Sequence, residues 1–327
     1  MNSSYFDADS SEGQPITEEK KAKVVEIRKL LGPLPEKLSL YCSDACIARY
    51  LEARNWNIKK ALKMLKGSLK WRLDYKPEEI RWEEVAAEAE TGKIYRTNIR
   101  DRHGRSILVM RPGRENTHSG KGQIRYLVYC MENAILNLRP GQSQMVWLID
   151  YDGYKLSNVS LSVSKETAHI LQDHYPERLG VAVLYNPPKF FEPFWKMIKP
   201  FLEQKTRKKV RFVYTDDPSS SKIMEDVFGM DRLESALGAD SQLSFDYEEY
   251  ANRMREDDKR IPSFWTRRED ANGGQAEERT AAEVPPVPRL SESESDDSSG
   301  GNGVDSSPQR PPSGDESVDE EPPRAST

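Results

Sequence analysis

Residues His174 to Tyr214 read HYPERLGVAVLYNPPKFFEPFWKMIKPFLEQKTRKKVRFVY, and this stretch decides the fold. Val181–Tyr185 is a short β-branched run of the kind buried on both faces of a sheet. Pro187 and Pro188 end it and set up a helix start. In the helix that follows, expected over Lys189–Leu202, Glu192, Lys196, Lys199 and Glu203 fall at i, i+4, i+7 and i+11, one narrow polar stripe. Phe190, Phe191, Phe194, Trp195, Met197, Ile198, Phe201 and Leu202 cover most of the rest. A helix packed on one side of a soluble sheet needs a narrower apolar arc. The surplus needs a second apolar partner, either more protein or lipid. A basic strand, Val210–Tyr214, closes the stretch.

The same alternation extends toward the N-terminus. Ser106–Met110 reads as a strand after an Asp101–Gly104 turn, Ile124–Leu138 as a helix, Met145–Ile149 as a strand and Leu161–His174 as a helix. Strands separated by crossover-length helices imply a largely parallel sheet. Before Arg96 the period is helical. Thr17 to Leu31 is a charged helix closed by Gly32 and Pro33. Ser43 caps a helix bearing Ile47, Tyr50, Leu51 and Arg54, and Asn57 caps another with Ile58, Ala61, Leu62, Leu65 and Leu69 on its apolar face. The fold class is therefore α/β: a helical N-terminal lobe followed by a largely parallel β-sheet with crossover helices. The expected segments are a flexible 1–16, the helical lobe 17–90, the sheet domain 91–250, a C-terminal extension 251–265 and a disordered tail 266–327.

The tail explains the low apolar fraction of 36% over 327 residues. From Thr266 to Thr327 there are 6 Arg and no Lys against 15 Asp and Glu, no aromatics, and many Pro, Ser and Gly. Such a segment cannot bury enough surface to offset its chain entropy. Its charge of −9 within a total of −5 leaves residues 1–265 at +4, a mildly basic fold suited to an anionic surface or headgroup. Ser291, Ser293 and Ser295, each followed by an acid, suit acid-directed kinases. Met1–Gly13 lacks a basic region followed by an apolar one, and the longest apolar runs are about five residues against the roughly 20 that span a bilayer. The 3 cysteines and 4 histidines complete no ligand set. A cytoplasmic protein without a metal is expected.

Enzyme readings find little support. The chain has no G-x-G-x-x-G after a strand, no G-x-x-x-x-G-K-[ST] and no G-x-S-x-G. Asp150 and Asp152, after one strand, and Asp216-Asp217, after another, leave a Mg-dependent phosphohydrolase as an alternative. Acids that close strands as turn residues are ordinary, however. The cluster Lys205, Arg207, Lys208, Lys209 and Arg211 lacks interleaved aromatics, so nucleic acid is not an expected partner.

Separated motifs then converge on a known family. Arg49-Tyr50-Leu51-Glu52-Ala53-Arg54-Asn55-Trp56-Asn57, with Ala61 and Trp71-Arg72, resembles the N-terminal helical signature of CRAL-TRIO proteins. His174-Tyr175-Pro176-Glu177-Arg178-Leu179-Gly180 resembles their second signature, and Asn186-Pro187-Pro188 through Lys199-Pro200-Phe201-Leu202 their gate segment. The resemblance, over about Cys42 to Tyr250, implies a sheet-floored pocket that holds one lipid beneath a mobile gate helix. It implies a lipid carrier rather than an enzyme, a monomer that touches membranes transiently, with phosphatidylinositol as cargo and no other cofactor. Another hydrophobe of the tocopherol, retinoid or squalene type is the alternative cargo.

Carried over by motif, the headgroup site falls on Arg54, Glu177 with Arg178 beside it, Thr206 and Lys209. The gate and membrane contact fall on Phe190, Phe191, Phe194, Trp195, Lys196, Met197, Ile198, Lys199 and Phe201. Met145, Trp147 and Ile149 fall on the pocket floor. Asn55 stands where the phosphatidylinositol-transferring members have Lys. Met145 and Trp147 replace the Ser and Thr of the choline-lipid mode, and Gly238-Ala239 replaces a frequent Gly-Gly near the gate hinge. The energetics suit a carrier: drawing about 32 methylenes of a two-chain lipid into water costs on the order of 25 kcal/mol.

Overall fold

The computed structural model describes residues 17–158, 160–228 and 245–265. All lie in one compact unit, residues 1–271; the expected flexible N-terminus, the tail and Gly238-Ala239 lie outside the described residues.

The N-terminal lobe forms where local signals are strong. α1 (Glu18–Leu31) starts at Thr17, whose hydroxyl accepts from the Lys20 N–H, and ends at Gly32 with φ of 69°. After the short α2 (Glu36–Tyr41), α3 (Asp44–Ala53) starts at Ser43 and α4 (Ile58–Tyr75) at Asn57, each cap accepting the backbone N–H three residues on. Their apolar faces close a core around Ile27, Ile47, Tyr50, Leu51 and Leu65, all fully buried. Between α3 and α4 the chain turns through Asn55 and Trp56, with φ of 49° and 60°. Asn occupies the left-handed region more readily than Lys does, which accounts locally for Asn55.

α5 (Trp82–Ala89) belongs by packing to the sheet, since Trp82, Val85 and Ala89 lie in the main core. The sheet has five strands in sequence order: β1 (Ile94–Arg100), β2 (Ser106–Met110), β3 (Met145–Asp150), β4 (Leu179–Tyr185) and β5 (Val210–Val213). β1 pairs antiparallel with β2, and the other neighbours are parallel. The crossovers are α6 (Gly120–Leu136), α7 (Leu161–His174), and the pair α8 (Phe191–Ile198) and α9 (Gln204–Lys208). α6 starts one turn before the expected Ile124 because Ser119 caps it. The gate segment is α-helical only over Phe191–Ile198, followed by a 3-10 turn over Lys199–Phe201. Pro200 explains the shortening: it has no N–H to continue the ladder and disfavours the helical region for the residue before it.

Register places Leu108, Trp147, Ala182 and Val210 in one row across the sheet, and Met110, Ile149, Leu184 and Phe212 in the next. Both rows share a face because alternate residues point the same way. α8 lies on that face. Residues of the opposite parity, among them Ile107, Val109, Val146, Leu148 and Val183, are fully buried in the main core with α6. α10 (Pro218–Phe228) contributes Met224 and Phe228 to that core. α11 (Tyr247–Phe264) contributes Tyr250, Ala251 and Met254, so it runs across the boundary expected at residue 250. Its Asp257 reaches Arg96 of β1 at 2.7 Å, beside Asn133 of α6, which explains how a charge sits buried in a strand.

Candidate functional site

α8 meets the sheet through aromatics. Phe191 is buried against Tyr151, ring centroids 4.7 Å apart, and Trp195 meets Phe212 edge-on at 5.7 Å. Phe194, Ile149, Leu184 and Val210 join this cluster, whose buried members among the described residues are Tyr151, Leu184 and Phe191. Phe190 stacks on Tyr154. Ile198 is buried, whereas Met197 is 50% exposed and Phe201 46%. Lys196 and Lys199 are exposed beside them. The end of the segment is held by one side chain of α7: Gln172 donates to the Phe201 carbonyl at 2.5 Å and accepts from the Glu203 N–H at 2.6 Å.

On the floor, Met145 is fully buried, and Trp147 and Ile149 are half-buried. The Trp147 indole N–H is buried without a hydrogen-bond partner among the described residues.

The headgroup candidates gather on the short helix α9. At its N-cap, Glu203 accepts from Arg54 at 2.6 Å. At its C-cap, Lys209 donates its N–H to the Thr206 carbonyl and its Nζ to Glu177 at 2.8 Å. Thr206 lies between them, about 9 Å of helix rise separating the two caps. Glu177 has φ of 55°, the left-handed region, in a residue other than glycine. Three further residues belong to this network. Glu52 accepts from Lys205 at 3.2 Å and from the Trp56 indole at 2.6 Å, and with Glu203 it ties α9 to the N-terminal lobe. Burial pushes the Glu52 carboxyl up, but the hydrogen bonds from Trp56 and Lys205 outweigh it and hold the group below its usual value. The signal was present as complementary charges two residues apart, Glu52 with Arg54 and Glu203 with Lys205, and only the tertiary pairing reveals it.

Arg178 departs from this group. It donates to the Ser143 carbonyl at 2.9 Å and lines a separate cavity with Arg49 and Tyr50. Two carboxylates of the phosphohydrolase alternative have other partners: Asp150 accepts from Arg111 at 3.2 Å and from the Asp152 N–H at 3.1 Å, and Asp217 accepts from Ser219. Among the described residues no three His, Cys, Asp or Glu side chains are placed to hold a metal ion, and no helix is long and apolar enough to cross a membrane.

Comparison with known proteins agrees with this architecture. The family model for the CRAL/TRIO domain matches residues 89–238, and that for the CRAL/TRIO N-terminal domain matches 20–67. The chain belongs to the CRAL-TRIO family. It is similar to phosphatidylinositol transfer protein PDR17 of Saccharomyces cerevisiae, with 35% identity over 204 residues, covering 58% of this chain and 57% of that protein. A CRAL-TRIO domain-containing protein of Schizosaccharomyces pombe is 34% identical over 212 residues, 64% of this chain and 20% of its own length. Phosphatidylinositol transfer protein CSR1 of Eremothecium gossypii is 27% identical over 220 residues, 62% and 48%. The chain thus spans between a fifth and three fifths of the length of these relatives. Among solved structures, the crystal structure of Sfh5 covers 64% of this chain and 82% of its own at 22% identity and a TM-score of 0.49.

Proposed function

We propose that this protein carries one phospholipid, phosphatidylinositol in first place, between membranes, and that α8 is the gate over its cargo. The observation that carries this reading is the aromatic cluster between α8 and the sheet. It is small and set apart from the main core, and the same segment carries the exposed Met197 and Phe201. Acyl chains would replace these contacts like for like when α8 lifts, while Lys196 and Lys199 lie at headgroup level as on an interfacial helix. The unpartnered Trp147 N–H supports the reading, because an ester carbonyl of the cargo would satisfy it.

The headgroup phosphate would take Arg54 and Lys209 from their present carboxylates, while Glu177 and Thr206 face inositol hydroxyls. Two of the similar yeasts' proteins bear the name phosphatidylinositol transfer protein, which favours this cargo over a tocopherol-, retinoid- or squalene-like one. Native mass spectrometry of the purified protein tests the cargo, and a vesicle assay tests the site. Lys209→Ala should lower phosphatidylinositol transfer roughly tenfold or more, the worth of one charged hydrogen bond. Unchanged transfer would remove Lys209 from the headgroup site.

A further inference from the structure

A cavity of about 200 Å³ lies where the N-terminal lobe meets the sheet domain, away from α8 and α9. That is many times the space one water needs. Its walls carry three guanidinium groups and one carboxylate: Arg49 of α3, Arg72 of α4, Arg178 of the turn before β4, and Glu132 of α6. Arg72 and Glu132 answer each other. Two guanidinium nitrogens of Arg72 reach the two carboxylate oxygens of Glu132 at 2.9 and 3.1 Å, with Glu78 at 3.3 Å and the Tyr175 hydroxyl donating to Glu132 at 2.7 Å.

Arg49 and Arg178 remain. Each makes one hydrogen bond to a backbone carbonyl, Arg49 to Ala45 at 3.2 Å and Arg178 to Ser143 at 2.9 Å, and neither forms an ion pair among the described residues. A guanidinium has five N–H donors, so most of this donor capacity faces the cavity unused. The cost of the arrangement shows on Arg178: burial, and then the Arg49 charge, pull it down to about 10, so it is still a cation at neutral pH. Two partly buried cations side by side, with the cavity's carboxylate Glu132 already bound by Arg72, form an unfavourable arrangement that an anion would relieve.

We infer that this cavity is a binding site for a phosphate-class dianion, held between Arg49 and Arg178. Two unanswered positive charges match two negative ones, and the planar forks of two arginines fit phosphate oxygens bidentately. Ser43 adds a donor at the rim: its oxygen accepts from the Cys46 N–H at 3.3 Å, which leaves its own proton for the anion. Because Arg49 belongs to one lobe and Arg178 to the other, the bound anion ties the lobes together and stabilises the fold by mass action.

The test uses the full chain and inorganic phosphate, titrated at constant ionic strength against acetate and chloride, with thermal unfolding and calorimetry as readouts. Phosphate should raise the melting temperature and bind with measurable heat, whereas acetate and chloride do neither. Arg49→Gln, which gives up only a bond within its own helix, should weaken phosphate binding at least tenfold, and Arg49→Lys should restore part of it. A second arm distinguishes a lipid headgroup from a free anion. Phosphatidic acid vesicles that bind wild type better than Arg49→Gln place the phosphate on a lipid; equal vesicle binding, with phosphate affinity lost, makes it a soluble one. Equal stabilisation by acetate, or phosphate affinity unchanged in Arg49→Gln, would overturn the site.

Discussion

The two faces of the sheet are built from the same kinds of residue and do opposite things. Toward α6, Ile107, Val109, Val146, Leu148 and Val183 are fully buried in a core that also draws in α5, α10 and α11. Toward α8, Leu184 and Phe191 are buried, but Trp195, Phe194 and Ile149 are only partly covered and Met197 points to solvent. The first face has no slack; cavities there are expensive because close packing relaxes only partly. The second is covered by eight residues of helix between Pro188 and Pro200, held at its far end by Gln172. Strength on one side would let the other open without loss of the fold, as the proposed gate requires.

This contrast can be broken by substitution. Leu148→Ala, on the α6 face, should cost about 2–5 kcal/mol in urea unfolding while leaving lipid exchange per folded molecule unchanged. Trp195→Ala, on the α8 face, should cost less, about 1.5–3 kcal/mol, and should slow exchange. Trp195→Phe should abolish a blue shift of tryptophan emission on adding vesicles. Phe201→Ala should stay within about 0.5 kcal/mol of wild type in stability, as exposed positions do, yet slow exchange measurably. If Leu148→Ala slowed exchange per folded molecule and Phe201→Ala left it untouched, the division of labour between the faces would be wrong.

The smallest expected effect is a pH dependence at the lobe contact. His174 stacks on Trp71 with centroids 4.1 Å apart and shares a hydrogen bond with Ser68. Burial, then the charges of His169 and Arg72, lower it from 6.5 to about 4, with Asp173 near the same helix end. The unfolded chain binds this proton more readily, so the contribution is complete above about pH 6.5 and is lost as pH falls toward 4. His174→Gln should therefore show a shallower fall in melting temperature across that window.

Most of the fold was legible because its signals are local. Ser43 and Asn57 cap the helices they were expected to cap, and Ser106–Met110 and Leu161–His174 fall on their expected bounds. β1 was not legible, because Arg96 breaks its apolar pattern and its partner Asp257 is 161 residues away. The packing of α5 and α11 on the sheet was hidden in the same way: Trp82 receives its closest aromatic neighbours, Tyr247 and Tyr250, from the far end of the described chain. At the proposed site, family motifs pointed to Arg54, Glu177, Thr206 and Lys209, of which Arg54 and Lys209 lie at the two ends of α9 and Glu177 pairs with Lys209. They could not show that Arg178, next to Glu177, turns toward the lobe contact instead, because the left-handed backbone at Glu177 has no glycine to announce it.

That left-handed residue has a consequence for anyone altering this protein. A non-glycine residue at such a φ costs roughly 1–2 kcal/mol, so Glu177→Gly should relax the backbone even as it deletes the carboxylate facing Lys209. A selection for thermal tolerance alone would favour that exchange and discard the Lys209 contact with it. On the proposed reading, Glu177 is thus a position where robustness and cargo recognition pull in opposite directions, and screening for one without the other would erode it unnoticed.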